Sequence, residues 1–319
     1  MCIRDSFYLF NMLAGDFDDE RRRHILLPLC PEYIGYADQG LDPALFRSTA
    51  AAIEHTDEHR FKYRINFDEL TINSETAAIC VSRPTNPSAN VLTNDEIERL
   101  SRLAQDNDCF LMIDNAYGAP FPGIVFDDTI VPFYDDHVIV SLSLSKLGLP
   151  GTRTGIVVAN EQVINAVSAA NAVVSLANGN IGQEIVTPLL ADNRILKLSS
   201  EVIRPFYKRK SVQAMTWLDE FLDDSAPYAI HVSEGAMFLW LWCKDLPITS
   251  AELYERLKKR GVVVVPGHYF FFGSTDLNAG DHARHRNECL RINHSQPDDV
   301  VRAGLKIIAD EIQQSHRRA

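Results

Sequence analysis

Short apolar runs alternate with amphipathic, helix-like segments along the first half of the chain, and this alternation constrains its fold most strongly. The runs occupy residues 77–82, 109–114, 137–142 and 155–159. The segment T-N-D-E-I-E-R-L-S-R-L-A begins at Thr93 and carries acidic residues in its first turn, which is typical of a helix N-terminus. Apolar strands separated by such helices predict a largely parallel sheet that is covered by helices on both faces.

The rest of the chain divides into a helical stretch and a mixed region. Residues 7–15 are typical of the second half of a helix, residues 24–31 of a short buried strand, and residues 160–222 of helices. Beyond them, strands are predicted at 229–233, 237–242 and 262–265, and helices at 253–260 and 300–314. We therefore expect a large domain over residues 1–204 and a smaller α+β domain over residues 205–319.

Composition excludes several classes of function. The 319 residues include 31 Lys and Arg against 43 Asp and Glu, and the resulting net charge of −12 opposes binding to nucleic acid. No apolar run approaches the roughly 20 residues that a membrane helix needs, and M-C-I-R-D-S lacks the pattern of a secretory signal. We expect a cytoplasmic protein that binds neither nucleic acid nor membrane.

The cysteines lack the spacing of a metal site or a redox motif. No C-x-x-C occurs, and no His/Cys pair has zinc-site spacing. The expectation is reduced, mostly buried thiols, with no disulfide and no metal. The six residues are Cys2, Cys30, Cys80, Cys109, Cys243 and Cys289.

Polar side chains stand at the ends of the predicted strands. Asn86 lies in R-P-T-N-P, Asp114 and Tyr117 in D-N-A-Y, Lys146 in S-L-S-K and Arg153 in G-T-R-T-G. Ligands of open α/β sheets bind outside the carboxyl ends of the strands. Separate loops at that edge can converge on one site.

These residue types match what pyridoxal phosphate requires. The cofactor aldehyde bonds to a shielded, deprotonated lysine amine, which Lys146 can supply. The ring nitrogen stays protonated beside a carboxylate such as Asp114, and Asn86 and Tyr117 can donate to the ring's phenolic oxygen. The phosphate needs cations and hydroxyls. Candidates for the phosphate are Arg153, Ser143 and Ser145.

Each of these residues also has an ordinary structural interpretation. An aspartate after a strand is usually a helix N-cap, and an N-P dipeptide is usually a turn. S-x-S-K occurs by chance, and G-x-R-x-G is often a turn with an exposed arginine. Taken singly, the ordinary interpretation is better each time. The combination, in this order and at strand ends, favours a cofactor site.

The chain resembles the fold-type-I pyridoxal-phosphate aminotransferases of class I/II. The resemblance extends over nearly the whole chain, and its motifs are highly specific for that class. The motifs that carry it are P-E-Y-I-G-Y at 31–36, R-P-T-N-P at 83–87, D-N-A-Y at 114–117, S-L-S-K-L-G-L-P-G-T-R-T-G at 143–155 and L-R-I-N at 290–293. The implied fold is a three-layer αβα large domain of the aspartate aminotransferase type with a mostly parallel sheet, plus a smaller α+β C-terminal domain.

The resemblance implies a role for each matching residue. Lys146 would be the Schiff-base lysine and the proton shuttle, and Asp114 would pair with the pyridinium. Tyr33 would stack on the ring face. Arg291 would clamp the substrate carboxylate, with Asn86 beside it. The other implied cofactor-binding residues are Asn86, Tyr117, Ser143, Ser145 and Arg153.

The N-terminus departs from the family pattern. The family has an arm, and a small-residue turn that begins the phosphate cup, ahead of the helix ending in F-Y-L-F-N. M-C-I-R-D-S occupies that place and does not match. A tyrosine that the family's partner subunit contributes to the phosphate is also missing. The resemblance thus implies an N-terminally truncated chain that binds its cofactor weakly.

The implied reaction is transamination in two half-reactions. Valine and pyruvate are the expected substrates, with 3-methyl-2-oxobutanoate and alanine as products, and a homodimer is expected. Another aminotransferase, or a carbon–sulfur lyase on the same fold, is an alternative. A regulatory domain that kept the cofactor fold and an inactive fragment are further alternatives.

Overall fold

The computed structural model describes residues 3–15, 23–177, 179–223, 225–274, 276–278 and 280–318. Residues 1–2, part of M-C-I-R-D-S, and residues 16–22 of the predicted loop D-F-D-D-E-R-R-R lie outside the described residues. The predicted N-terminal helix is confirmed as α1, Ile3–Ala14.

The first sheet has six strands in the order β2-β1-β5-β6-β7-β8. All neighbouring strands are parallel except β7 and β8, which are antiparallel. This confirms the predicted mostly parallel sheet. The strands are β1 His24–Cys30, β2 Phe46–Ala50, β5 Thr76–Ser82, β6 Phe110–Asn115, β7 Val138–Ser143 and β8 Gly155–Val158.

Helices cover both faces of this sheet. On one face, Leu9 and Phe10 of α1 and Val163 of α3 (Glu161–Ser175) share a buried cluster with strand residues. On the other face, Ile97 and Leu100 of α2 (Asn94–Asp106) pack into a second cluster. The predicted three-layer αβα arrangement is therefore confirmed.

The start of α2 shows why the sequence pattern was informative. The Thr93 side chain accepts a hydrogen bond from the backbone N–H of Glu96, and the Glu96 carboxylate accepts one from the backbone N–H of Thr93. This capping box satisfies backbone donors that a helix N-terminus otherwise leaves unpaired.

The second sheet also has six strands, in the order β11-β12-β10-β9-β4-β3. Only the β4–β9 pair is parallel. The strands are β3 Ala52–Asp57, β4 Arg60–Arg64, β9 Tyr228–His231, β10 Phe238–Cys243, β11 Val265–Pro266 and β12 Cys289–Asn293. The sheet therefore joins a hairpin from the first half of the chain to strands from the second half.

Strands β2 to β4 were not predicted from sequence. The β3–β4 hairpin lacks the Gly or Asn that usually marks such a turn. Its turn is closed instead by Asp57, whose carboxylate accepts a hydrogen bond from the backbone N–H of His59. Strand β3 is an edge strand with mostly exposed side chains, so it carries little apolar signal.

The helical middle and two of the three C-terminal helices in the described residues were largely predicted, whereas the helix at 280–288 was not. The helices are α4 Ile181–Ala191, α5 Arg194–Lys197, a π-helical segment Leu198–Ile203, α6 Arg204–Phe221, α7 Ser250–Lys259, α8 Gly280–Glu288 and α9 Asp298–Arg317. The predicted strand at 262–265 is wrong except at its end, because β11 begins only at Val265. Val263 lies exposed, while Val264 packs into the buried cluster beneath α9.

Candidate active site

The carboxyl ends of the first sheet's strands bring the predicted site residues together. A cavity of about 510 Å³ lies at this edge. All nine residues assigned from sequence line it, although they come from strands and loops far apart in the chain. They are Tyr33, Asn86, Asp114, Tyr117, Ser143, Ser145, Lys146, Arg153 and Arg291.

Lys146 lies in a 3-10 turn, Ser145–Leu147, that follows β7 directly. Its ammonium nitrogen is 5.3 Å from the centre of the Tyr117 ring. Burial lowers the pKa of Lys146, Arg291 and Arg153 lower it further, and Asp114 opposes them. A lysine in this environment loses its proton more easily than a lysine in water, as a nucleophilic amine must.

Asp114 lies near the end of β6 and is buried, at 4% exposed. Its Oδ1 accepts a hydrogen bond from the backbone N–H of Ala116 at 3.0 Å, and its Oδ2 accepts one from the Tyr36 hydroxyl at 2.6 Å. Two donors, one on each oxygen, fix the orientation of the carboxylate.

Asn86 and Arg291 meet across the two sheets. The Arg291 guanidinium donates to the Asn86 side-chain oxygen at 2.7 Å and lies 4.6 Å from the centre of the Phe238 ring. The Asn86 loop is held by the buried Arg83, which donates to two backbone carbonyls and to the Asn94 side chain. The contact uses the side-chain oxygen of Asn86, so its side-chain nitrogen can still donate a hydrogen bond.

Hydroxyl groups and one arginine lie at the end of the cavity near β7. The Ser143 hydroxyl oxygen accepts a hydrogen bond from the backbone N–H of Ser145 at 3.2 Å. Arg153 is exposed and has a left-handed backbone with φ +52°. These groups combine hydroxyl donors with a positive charge, which is the donor set that a phosphate dianion prefers.

Two tyrosines form walls of the cavity. A Cβ atom on Gly35 would lie 2.5 Å from the Tyr33 ring, so only glycine allows that ring to lie against the backbone. Burial raises the pKa of Tyr117 well above its usual value, so its phenol stays protonated as a potential donor.

Ile34 and Tyr36 were not assigned a role from sequence. Ile34 supplies apolar lining beside Met237 and Phe238, and Tyr36 donates to Asp114. The signal for Tyr36 was present, because it is the second tyrosine of P-E-Y-I-G-Y and the 3-10 turn Ile34–Tyr36 directs it inward. Its partner could not be read from a local pattern, because Asp114 lies 78 positions away.

Two absences apply to the described part of the chain. No group of three or more His, Cys, Asp or Glu residues there is arranged to hold a metal ion. No helix there is both long enough and apolar enough to cross a bilayer.

Comparison with known proteins identifies the family. The family model for aminotransferase class I and II matches residues 47–308. The valine–pyruvate aminotransferase of Escherichia coli K12 is 46% identical over 309 residues, which cover 97% of this chain and 72% of the relative. Two solved structures are also similar. The valine–pyruvate aminotransferase of Salmonella typhimurium LT2 has a TM-score of 0.90 and 45% identity, covering 99% of this chain and 78% of that one. A putative amino-acid aminotransferase from Psychrobacter arcticum 273-4 has a TM-score of 0.93 and 43% identity, and the match covers 98% of this chain and 73% of that one.

The donor set of the cavity fits the cofactor of that family, pyridoxal 5'-phosphate. It offers a lysine with a lowered pKa, a fixed carboxylate, and hydroxyl groups beside an arginine. Both the comparisons and the geometry lead to one conclusion: this chain belongs to the class I and II aminotransferases and is a pyridoxal-phosphate-dependent enzyme of that family.

Proposed function

We propose that this enzyme transfers the amino group of valine to pyruvate, forming 3-methyl-2-oxobutanoate and alanine. The observation that carries the proposal is the meeting of Lys146, Asp114 and Arg291 in one cavity. The similarity to two valine–pyruvate aminotransferases at 46% and 45% identity supports the choice of substrates.

The bound cofactor supplies an electron sink for the substrate's α carbon. In the proposed site, Lys146 would hold the cofactor, and its amine would carry the proton that leaves or joins that carbon. Its lowered pKa suits this work, because a proton carrier acts best when its pKa is near the working pH. Asp114 would pair with the cofactor's ring nitrogen. Asn86 and Tyr117 would donate to the ring oxygen.

The remaining residues position the two ligands. Tyr33 packs on the ring face of the cofactor. Arg291 binds the substrate carboxylate in a two-pronged pair, since a guanidinium matches a carboxylate in shape and charge. The residues proposed for the phosphate are Ser143, Ser145 and Arg153.

The lining near Arg291 suits a small aliphatic side chain. Ile34, Met237 and Phe238 line the cavity, and Phe238 packs against the Arg291 guanidinium. Apolar pockets distinguish substrates that differ by one methylene by only about 1–3 kcal/mol. We therefore expect 2-aminobutyrate to react as well, at a lower rate than valine.

We propose a homodimer. Large apolar side chains are exposed near the end of α3, directly after it and at the start of α4. They include Val173 at 86% on α3 and Leu176 at 88% just beyond it, which is typical of a surface that a partner covers. The described cysteines are all free and buried, which supports a reducing, cytoplasmic location. We also propose that residues 1–204 bind the cofactor and residues 205–319 form the smaller domain, with the β3–β4 hairpin attached to the smaller domain's sheet.

Product analysis with purified enzyme and added cofactor tests the reaction. Valine and pyruvate together should give equal amounts of alanine and 3-methyl-2-oxobutanoate. Omitting pyruvate should stop the reaction after one equivalent of keto acid per site. Continued release of ammonia without an acceptor would identify a lyase and reject the proposal.

A further inference from the structure

Four buried oxygen-bearing side chains form a chain of contacts behind the cavity. Glu32 Oε1 lies 2.5 Å from the Ser82 hydroxyl oxygen, which lies 3.3 Å from the Tyr36 hydroxyl oxygen. The Tyr36 hydroxyl in turn donates to Asp114 Oδ2 at 2.6 Å. All four residues are at most 5% exposed. We call this set the Glu32–Asp114 chain.

The fold brings these residues together from three neighbouring strands. Ser82 ends β5 and pairs with Asp114 on β6. Glu32 and Tyr36 follow β1, which lies on the other side of β5. Three polar groups contact the Glu32 carboxyl group: the Ser82 hydroxyl and the backbone N–H groups of Tyr33 and Ser82. None of these partners is a cation.

Counting hydrogen atoms along the Glu32–Asp114 chain shows that one is missing. The chain has three oxygen–oxygen contacts but only two hydroxyl protons, those of Ser82 and Tyr36. Tyr36 donates its proton to Asp114. If Ser82 donates to an ionised Glu32, lone pairs face each other between Ser82 and Tyr36. A third proton, on Glu32, lets Glu32 donate to Ser82, Ser82 to Tyr36 and Tyr36 to Asp114.

The surrounding ionisable groups favour that third proton. The nearby carboxylate is Asp114 on β6. Burial, together with Asp114, raises the pKa of Glu32 to about 8, although its hydrogen bonds to Ser82 and Tyr33 lower it. The other ionisable groups beside Glu32 are uncharged at neutral pH, because burial raises the pKa of Cys30 to about 12 and the pKa values of Cys80 and Tyr36 well above their usual ones. Two carboxylates that share a buried site rarely ionise together.

We propose that Glu32 is protonated at neutral pH and is a positioning residue, which acts through Ser82 and Tyr36 to fix the orientation of the Asp114 carboxylate. This proposal rests on the role given to Asp114 in the proposed function. A donor at the end of a continuous hydrogen-bonded chain fixes the Asp114 oxygen that it contacts, and the carboxylate held in this way would pair with the cofactor's ring nitrogen. Loss of the Glu32 proton lets the Ser82 hydroxyl turn away from Tyr36 and adds a second buried charge.

Infrared difference spectroscopy of the cofactor-free protein tests the protonation of Glu32 directly. We expect a carboxylic-acid carbonyl band that disappears as the pH rises through about 8. The band should be absent from Glu32→Gln and retained in Glu288→Gln, a control that removes a buried carboxylate paired with Arg284 at 2.9 Å. A wild-type spectrum without a band that depends on Glu32 overturns the proposal.

Cofactor-loaded variants test the positioning role. Tyr36→Phe and Ser82→Ala should each lower kcat by roughly ten-fold, because each interrupts the hydrogen bonding to a charged group. They should also change the pH dependence of the cofactor's absorbance, which a loss of general stability would not do. Wild-type kcat and wild-type absorbance titration in both variants overturn the proposal.

Asp114→Asn, measured in parallel, separates this proposal from the proposed function. If Asp114→Asn loses activity while Tyr36→Phe and Ser82→Ala behave as wild type, only the Glu32–Asp114 chain is rejected. If Asp114→Asn itself behaves as wild type, the role of Asp114 is rejected, and the positioning role of Glu32 is rejected with it.

Discussion

Replacing Arg291 by lysine tests the part of the cavity that is proposed to hold the substrate carboxylate. The Arg291 guanidinium donates a hydrogen bond to the Asn86 side-chain oxygen at 2.7 Å. It also packs on the rings of Phe238 and Phe270, at 4.6 Å and 5.2 Å from the ring centres. Lysine keeps the positive charge but cannot make two parallel hydrogen bonds to a carboxylate. Arg291→Lys therefore removes geometry while it conserves charge.

The expected loss follows from the contacts that lysine cannot reproduce. One charge-assisted hydrogen bond contributes about 1.5–3 kcal/mol, and the stacking on aromatic rings adds roughly 0.5–1 kcal/mol. A total of about 2–4 kcal/mol corresponds to roughly a 30- to 1,000-fold decrease in kcat/KM. Because both substrates carry a carboxylate, the decrease should be similar for valine and for pyruvate.

Steady-state kinetics with each substrate varied in turn measures this effect, and a cofactor titration accompanies it. Cofactor affinity should stay near the wild-type value, since Arg291 is assigned to the substrate. Arg302→Lys is the matched control. Arg302 is exposed on α9, and its ion pair with Glu220 is loose, with 3.8 Å between the nitrogen and the oxygen. A kcat/KM for Arg291→Lys within about three-fold of wild type, less than 1 kcal/mol, would refute the carboxylate assignment.

Three further changes have defined outcomes. Asp114→Asn should lower kcat by roughly 100-fold or more, because it removes the carboxylate proposed to pair with the charged ring of the cofactor. Asp114→Glu should keep more activity. Equal half-reaction rates for wild type and Asp114→Asn in stopped-flow measurements would show that Asp114 only supports the backbone. The folded-state pKa of Glu32 is raised from 4.5 to about 8, so its contribution to stability is complete below pH 4.5 and is lost as the pH rises to about 8. In urea unfolding, the wild type should lose up to about 1.4 kcal/mol per pH unit relative to Glu32→Gln across that window, and a constant difference would contradict it. Burial lowers the pKa of His285 from 6.5 to about 3, so its contribution to stability has the opposite pH dependence and is lost as the pH falls below 6.5. In the same assay, His285→Gln should reduce this loss of stability in acid. An unchanged slope of unfolding free energy against pH would count against a neutral buried ring.

Local patterns predicted the cofactor end of the site well. Asp114 and Lys146 each follow an apolar strand, and parallel strands bring their carboxyl ends to one edge of the sheet. The apolar runs were therefore enough to place both side chains near each other. The bounds of β1, β5, β6 and β7 were predicted to within one residue for the same reason, since buried strands are nearly continuous in apolar character.

The substrate end of the site could not be predicted in that way. Arg291 lies in β12 of the second sheet and meets Asn86 across 205 positions of sequence, so only the family motif L-R-I-N indicated it. Strand β3, which forms the edge of the same sheet, has exposed polar side chains and no conventional turn signal. Contacts between distant segments depend on tertiary packing, which no local pattern of residues encodes.

The Glu32–Asp114 chain illustrates the same limit for a buried polar network. Glu32 has the sequence character of a surface residue, yet it is 1% exposed, in the segment after β1 and beside Ser82 at the end of β5. Its hydrogen-bond partners are the backbone N–H of the next residue and two groups of Ser82, 50 positions away. The motif P-E-Y-I-G-Y marked the position, and the structure was needed to show the hydrogen-bond partners.

Borohydride reduction of the cofactor-loaded enzyme, followed by peptide mapping, tests the central claim most directly. Reduction makes the bond between the lysine and the cofactor permanent, so the labelled peptide identifies the lysine that carries the chemistry. We predict a single label on the peptide that contains Lys146, and loss of that label in Lys146→Ala. A label on Lys62, Lys210 or any other lysine, with Lys146 unmodified, would contradict the assignment of the active site.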